Sequence, residues 1–204
     1  MKLISNNRRH LPTLSNESWA IETRNRYKST QDLYRTFSAD RVSVYSQNYQ
    51  QAIASGVPTL VRLTKSYGED VVAPLLEVHI TSAIIAMGEE SDVEPTDIKF
   101  VAQAICQSEN LRTLNMASVM TFFHKLKCGE FKIFGKVTPR KIMEAMQDYV
   151  EIAKEKERKA FADIQKQEEK LAWEKHQQEA VTFEQYKASR GYGDEITNPM
   201  DLLK

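Results

Sequence analysis

Apolar residues recur along this chain with helical period, and the alternation of a half-buried strand is almost absent. Ile98, Val101, Ala102, Ile105 and Cys106 fall at i, i+3, i+4, i+7 and i+8, the stripe of a helix seated on a core. In the first third, NESWAIETRNRY and QDLYRTF read as short helices, and VYSQNYQQAIASG as one more that stops at Gly56. PTLVRLTKSYG and EDVVAPLLEVHITSAIIAMG also close on glycine, with Pro74 near the first turn of the second.

Two helix starts carry explicit signals. Asn115 suits an N-cap, with Leu114 and Val119 placed for a hydrophobic staple, and Met116, Val119, Met120 and Phe123 continue one face until Gly129. Thr138 repeats that grammar with Pro139 at the first helical position and Val137 opposite Ile142. The spacing therefore predicts helices over 116–128 and from 139 onward. The connection EFKIFGKV reads as a loop anchored by two aromatics, or as a short hairpin.

Ile142, Met146, Tyr149 and Ala153 form a core-facing seam. Beyond it the chain keeps helix formers but few apolar residues, among them Ala160, Phe161, Ile164, Leu171 and Trp173. Glu155 and Lys159, four apart, support such a helix in water. The expected fold class is all-α: a compact multi-helix domain followed by a long polar C-terminal helix. In boundaries, a flexible N-terminus at 1–14 precedes a helical core at 15–153, a projecting polar helix and a short helix at 154–190 (FEQYKASR, capped by Thr182), and a flexible tail at 191–204. The polar segment is a frayed tail, a helix that packs back on the domain, or one that uses Phe161, Ile164, Leu171 and Trp173 to associate.

Seven glycines and six prolines in 204 residues agree with little sheet. Net charge is zero, from 28 basic and 28 acidic residues, so no overall attraction to a polyanion follows. The charges are nevertheless sorted into blocks. Residues 1–50 are basic, 68–110 acidic, and 122–141 basic again, which suits either complementary faces of neighbouring helices or a cationic surface for an acidic partner. Cys106 and Cys128 lack CxxC spacing and read as free thiols in a reducing cytosol. MKLISNNRRHLPTLSNE turns polar too early for a signal peptide, and the apolar run from Val78 to Met87 is interrupted and short for a membrane span. A cytoplasmic protein is expected.

Catalytic signatures are missing from the sequence. Neither GxxxxGK[ST] nor GxGxxG occurs, and His10, His79, His124 and His176 lie far apart without an HExxH or a Cys/His cluster, so no cofactor or metal is expected. His124 and Cys128 share a helical face, but a helix C-terminus opposes thiolate formation. His79 reads as a half-buried structural residue. The acidic loop EESDVEPTD lacks the mid-loop glycine and alternating ligands of a calcium hand.

What remains is FFHKLKCGEFKIFGKVTPRK, with four phenylalanines, six basic side chains and one acid around a helix–loop–helix joint. Lys125, Lys127, Lys132, Lys136, Arg140 and Lys141 gather where a helix N-terminus presents free N–H groups, an arrangement that attracts phosphate. Phe131 and Phe134 would stack on bases if exposed or plug the core if not. Phe122 and Phe123, adjacent on one helix, are not both expected to face inward. RNRYKSTQDLYR, with Arg24, Arg26, Tyr27, Lys28, Tyr34 and Arg35, is a second basic–aromatic stretch.

The run from Leu114 to Glu157 resembles a segment of small helical proteins of bacterial phages and mobile elements, with Phe122, Phe123, Lys125, Lys127, Gly129, Phe134, Gly135 and Pro139 at the matching positions. It is more faintly similar to replication accessory proteins and helicase loaders. That resemblance implies a DNA-replication context; the ATPase motif of the loaders is absent. The reading is a non-enzymatic accessory protein of a nucleoprotein assembly. Its expected partners are DNA, another protein of a replication or phage assembly, and a second copy of the chain, with no membrane. The alternative is a structural or regulatory protein-interaction module that self-associates through its C-terminal helix and binds no nucleic acid.

Overall fold

Short polar side chains start several of these helices and left-handed glycines stop some of them. The computed structural model describes residues 16–88, 93–131, 133 and 136–179. In chain order the elements are α1 (Asn16–Tyr27), α2 (Thr30–Thr36), a 3₁₀ turn (Ala39–Arg41), α3 (Val42–Gln47), α4 (Tyr49–Ala54) and α5 (Leu60–Tyr67). They are followed by α6 (Glu69–Met87), α7 (Pro95–Gln107), a second 3₁₀ turn (Leu111–Thr113), α8 (Met116–Lys127) and α9 (Pro139–Glu179). The fold is all-α, ending in a long polar helix; among the described residues there is no strand.

Capping side chains at several starts satisfy N–H groups that a helix leaves open. Asn115 Oδ1 accepts from Ser118 N at 2.8 Å, Thr59 Oγ1 from Arg62 N at 3.3 Å, and Thr138 Oγ1 from Lys141 N at 3.4 Å. Glu94 and Asp97 close a capping box at α7, so these acids serve a helix N-terminus. The loops before α5 and α8 also pair with each other through Leu60 N to Leu114 O and Met116 N to Pro58 O, both 2.9 Å. Gly129, at φ 71°, ends α8 in the left-handed region, where Glu130 N reaches back to Lys125 O at 3.0 Å.

Two expectations change. VYSQNYQQAIASG is two helices, because the chain breaks at Asn48, whose Nδ2 bonds Val44 O at 3.0 Å. Pro74 stands inside α6 just past its first turn, near the helix start as its position in the sequence indicated. Phe122 and Phe123 are both fully buried, since α8 is wrapped by α3, α4 and α6, and Tyr149 of α9 lies against Phe122; nine of its 12 residues are buried. An adjacent aromatic pair forces one ring outward only on a helix that has a solvent side, and this half of α8 has none.

α6 is long and apolar enough to cross a membrane by length and composition alone. One of its sides, with Val72, Leu75, Leu76, Ile80 and Ala83, is buried in the bundle against α5, α7 and α8. The chain divides into two units, Met1–Phe161 and Ala162–Lys204. The short helix expected after Thr182 and the terminal segments 1–14 and 191–204 lie outside the described residues.

Candidate interaction surfaces

The joint between α8 and α9 is built from side chains that already have partners within the chain. Lys125 pairs with Glu130, one turn beyond the end of its own helix. Lys127 Nζ donates to Ser82 Oγ at 2.7 Å and to Ala39 O at 3.3 Å, reaching across to α6 and the first 3₁₀ turn. Burial lowers the pKa of this ammonium, and Asp40 opposes that shift. Arg140 Nε donates to Glu144 Oε1 at 2.6 Å, one turn along α9, and that bond holds its pKa above the usual value. Lys141 Nζ donates to the Lys136 carbonyl at 2.8 Å.

Phe131 is half-buried. Its ring centroid lies 5.1 Å from that of Phe122 and 6.1 Å from that of Tyr149, so it plugs the gap between α8 and α9. Lys132 and Phe134 lie outside the described residues. Lys136 and Arg140 are the exposed cations of the described joint.

The second basic–aromatic stretch behaves alike. Arg24 Nε donates to Ser66 O at 2.5 Å and Arg26 Nη1 to Gly56 O at 3.0 Å, so both guanidinium groups serve carbonyls at the ends of α5 and α4. Tyr27 is buried, which pushes its phenol up to about 12, and Tyr34 Oη donates to Val71 O at 2.8 Å.

His79 is fully buried, more so than its sequence context indicates. Nε2 lies 2.8 Å from Phe37 O and the ring stacks on Phe123 at 5.3 Å, so it ties α6 to the end of α2. Burial depresses its pKa to about 4. Cys106 is buried as well, which raises its thiol to about 12. His124 Nε2 and Cys128 Sγ are 3.8 Å apart at the exposed end of α8. Among the described residues no group of His, Cys, Asp or Glu could hold a metal ion.

α9 carries its ion pairs along itself. Glu155 bonds Arg158 at 2.9 Å and pairs with Lys159 at 3.3 Å, and those bonds lower its carboxyl to about 2. In the first unit, Phe161 is exposed. In the second, Leu171 is 64% and Trp173 61% exposed, and Ile164 is half-buried. Ile164 and Leu171 stand about two turns apart on one face, whereas Trp173 is rotated about 200° from Leu171 and points elsewhere.

Sequence reasoning missed the outer side of α6, where Val78 is 54% and Ile85 74% exposed. The signal was present: from Val78 to Met87 apolar residues fall on more than one side of the helix, so some of them must face water. It also missed a polar contact among the buried residues around α8, where Tyr49 Oη and Ser118 Oγ are 2.8 Å apart and the Lys156 ammonium sits 4.2 Å over the Tyr49 ring. No protein family matches the chain, nor does any curated protein or solved structure.

Proposed function

We propose that this protein is a helical protein-interaction module that self-associates through the second-unit part of α9. The observation that carries the reading is Leu171, 64% exposed, on the same face as Ile164 of a polar helix. Isolated polar helices are marginal in water, and pairing two apolar seams is the usual way such a helix is held. Between and after those residues on the same face stand Glu168 and Lys175. A parallel in-register pair would stack like charges, Glu168 on Glu168 and Lys175 on Lys175; an antiparallel pair brings Glu168 of one copy beside Lys175 of the other. The arrangement therefore favours an antiparallel pair.

Contact with DNA or an acidic partner through the joint, the other reading of the sequence, would compete with the intramolecular partners of Lys125, Lys127 and Lys141, whereas Arg140, bonded through Nε, keeps its side chain exposed. For those three lysines the exchange gives up intramolecular bonds for intermolecular ones and reduces the gain from phosphate neutralisation. A role in a replication or phage assembly remains compatible with the module, which would supply protein contacts there.

Sedimentation equilibrium of the full chain tests the reading. The wild type is expected to show a dimer mass that Ile164→Asp with Leu171→Asp reduces to a monomer, while Trp173→Ala leaves it intact. A wild-type monomer at every concentration would overturn the proposal, as would a dimer indifferent to the Ile164 and Leu171 changes.

A further inference from the structure

The first unit carries a track along the outer side of α6 whose two halves differ in chemistry. Toward the helix start, Glu69, Asp70, Pro74 and Glu77 line an open groove with Lys99 and Gln103 of α7. Toward the helix end, Pro74 and Glu77 continue into a second groove with Val78, Thr81, Ser82 and Ile85. The shared residues make the two continuous over about 24 Å, at 1.5 Å per residue. Pro74, Val78, Thr81 and Ile85 follow each other at i, i+4, i+7 and i+11, so they form one row.

A soluble helix normally turns its polar residues to this side. Here Val78 and Ile85 stand open at 54% and 74%, on a helix whose other side is already buried in the bundle. The acidic half carries Glu69, Asp70 and Glu77 against Lys99, an excess of negative charge. Glu69 accepts from Gln107 Nε2 at 2.9 Å. Lys127, at the Ser82 edge of the apolar half, donates to Ser82 Oγ and the Ala39 carbonyl, so its ammonium is occupied.

We infer that this track is a docking site for an amphipathic helix of another protein, one with aliphatic side chains along a face and Lys or Arg at one end. Aliphatic groups would cover Val78 and Ile85, and the cationic end would meet Asp70 and Glu77, the mode in which a helix lies in an apolar groove with charge setting its direction. The acidic half repels an anionic lipid surface, and cations at one end fix which way the helix lies. This inference uses no residue of α9 and stands or falls separately from the self-association.

The test is fluorescence anisotropy of a synthetic leucine–lysine amphipathic helix of about five turns against the full chain, with a leucine–glutamate helix of equal apolar content as the control. The lysine helix is expected to bind and the glutamate helix not. Val78→Ser with Ile85→Ser, both exposed and so leaving the thermal melt in place, is expected to weaken binding at least tenfold, roughly 1.4 kcal/mol. Asp70→Asn with Glu77→Gln is expected to do the same. Absence of binding, equal binding of both helices, or binding unaffected by the Val78 and Ile85 changes would overturn the inference. So would a fall in sedimentation mass caused by those changes, because a second copy would then be the occupant.

Discussion

Replacing Phe122 by alanine separates a core aromatic from a surface one by magnitude alone. The ring is fully buried, and Phe123, Phe131 and Tyr149 lie with their centroids 5.2, 5.1 and 5.6 Å from it. Loss of a fully buried phenylalanine costs about 3–5 kcal/mol, from lost transfer energy and the cavity left behind. That is a large part of the roughly 5–15 kcal/mol by which domains are stable. An exposed ring at the same position would cost less than about 0.5 kcal/mol. The assay is urea unfolding followed by circular dichroism, with the slope checked for a change in the extent of unfolding. Phe131→Ala in the same background should show a coupling of about 0.5–1.5 kcal/mol, the worth of an aromatic pair beyond its area. A loss under about 1 kcal/mol for Phe122→Ala, or no coupling, would refute the placement of the joint's aromatics inside the bundle.

Two further outcomes follow from buried titratable groups. His79 binds its proton less readily folded, at about 4, than unfolded, near 6.5. Its contribution is therefore fully present above the unfolded value and is lost as pH falls from about 6.5 to about 4, to a total of about 3 kcal/mol. Urea midpoints between pH 7 and pH 4 should fall more steeply for the wild type than for His79→Gln; equal slopes would contradict a neutral buried imidazole. Cys106 is buried with its thiol raised to about 12, while Cys128 is exposed, so a thiol reagent at mildly alkaline pH should label the native protein at Cys128 alone and both residues in denaturant. Fast labelling of native Cys128→Ser would contradict the packing of α7.

Local chemistry was legible where it is written in a few neighbouring residues. Asn115 and Thr138 cap their helices as their spacing indicated, and Val137 and Ile142 are both buried beside the second cap. Glu155 and Lys159 pair across one turn as expected. What a one-dimensional reading could not reach were contacts between distant segments. Lys127 looks like one more member of a basic cluster until Ala39, 88 residues earlier, is brought beside it. Phe122 and Phe123 cannot be placed without knowing that α3, α4 and α6 surround their helix and Tyr149 of α9 closes on Phe122. The break at Asn48 depends on a side chain competing with the backbone, a balance that composition does not reveal.

Hydrogen exchange of the amides from Ile164 to Lys175, measured over a concentration series, bears most directly on the account. A polar helix on its own opens readily, whereas one paired with a second copy exchanges only as the pair dissociates. The account predicts protection that rises with wild-type concentration and does not rise in Ile164→Asp with Leu171→Asp. Fast exchange at every concentration in both proteins would contradict it.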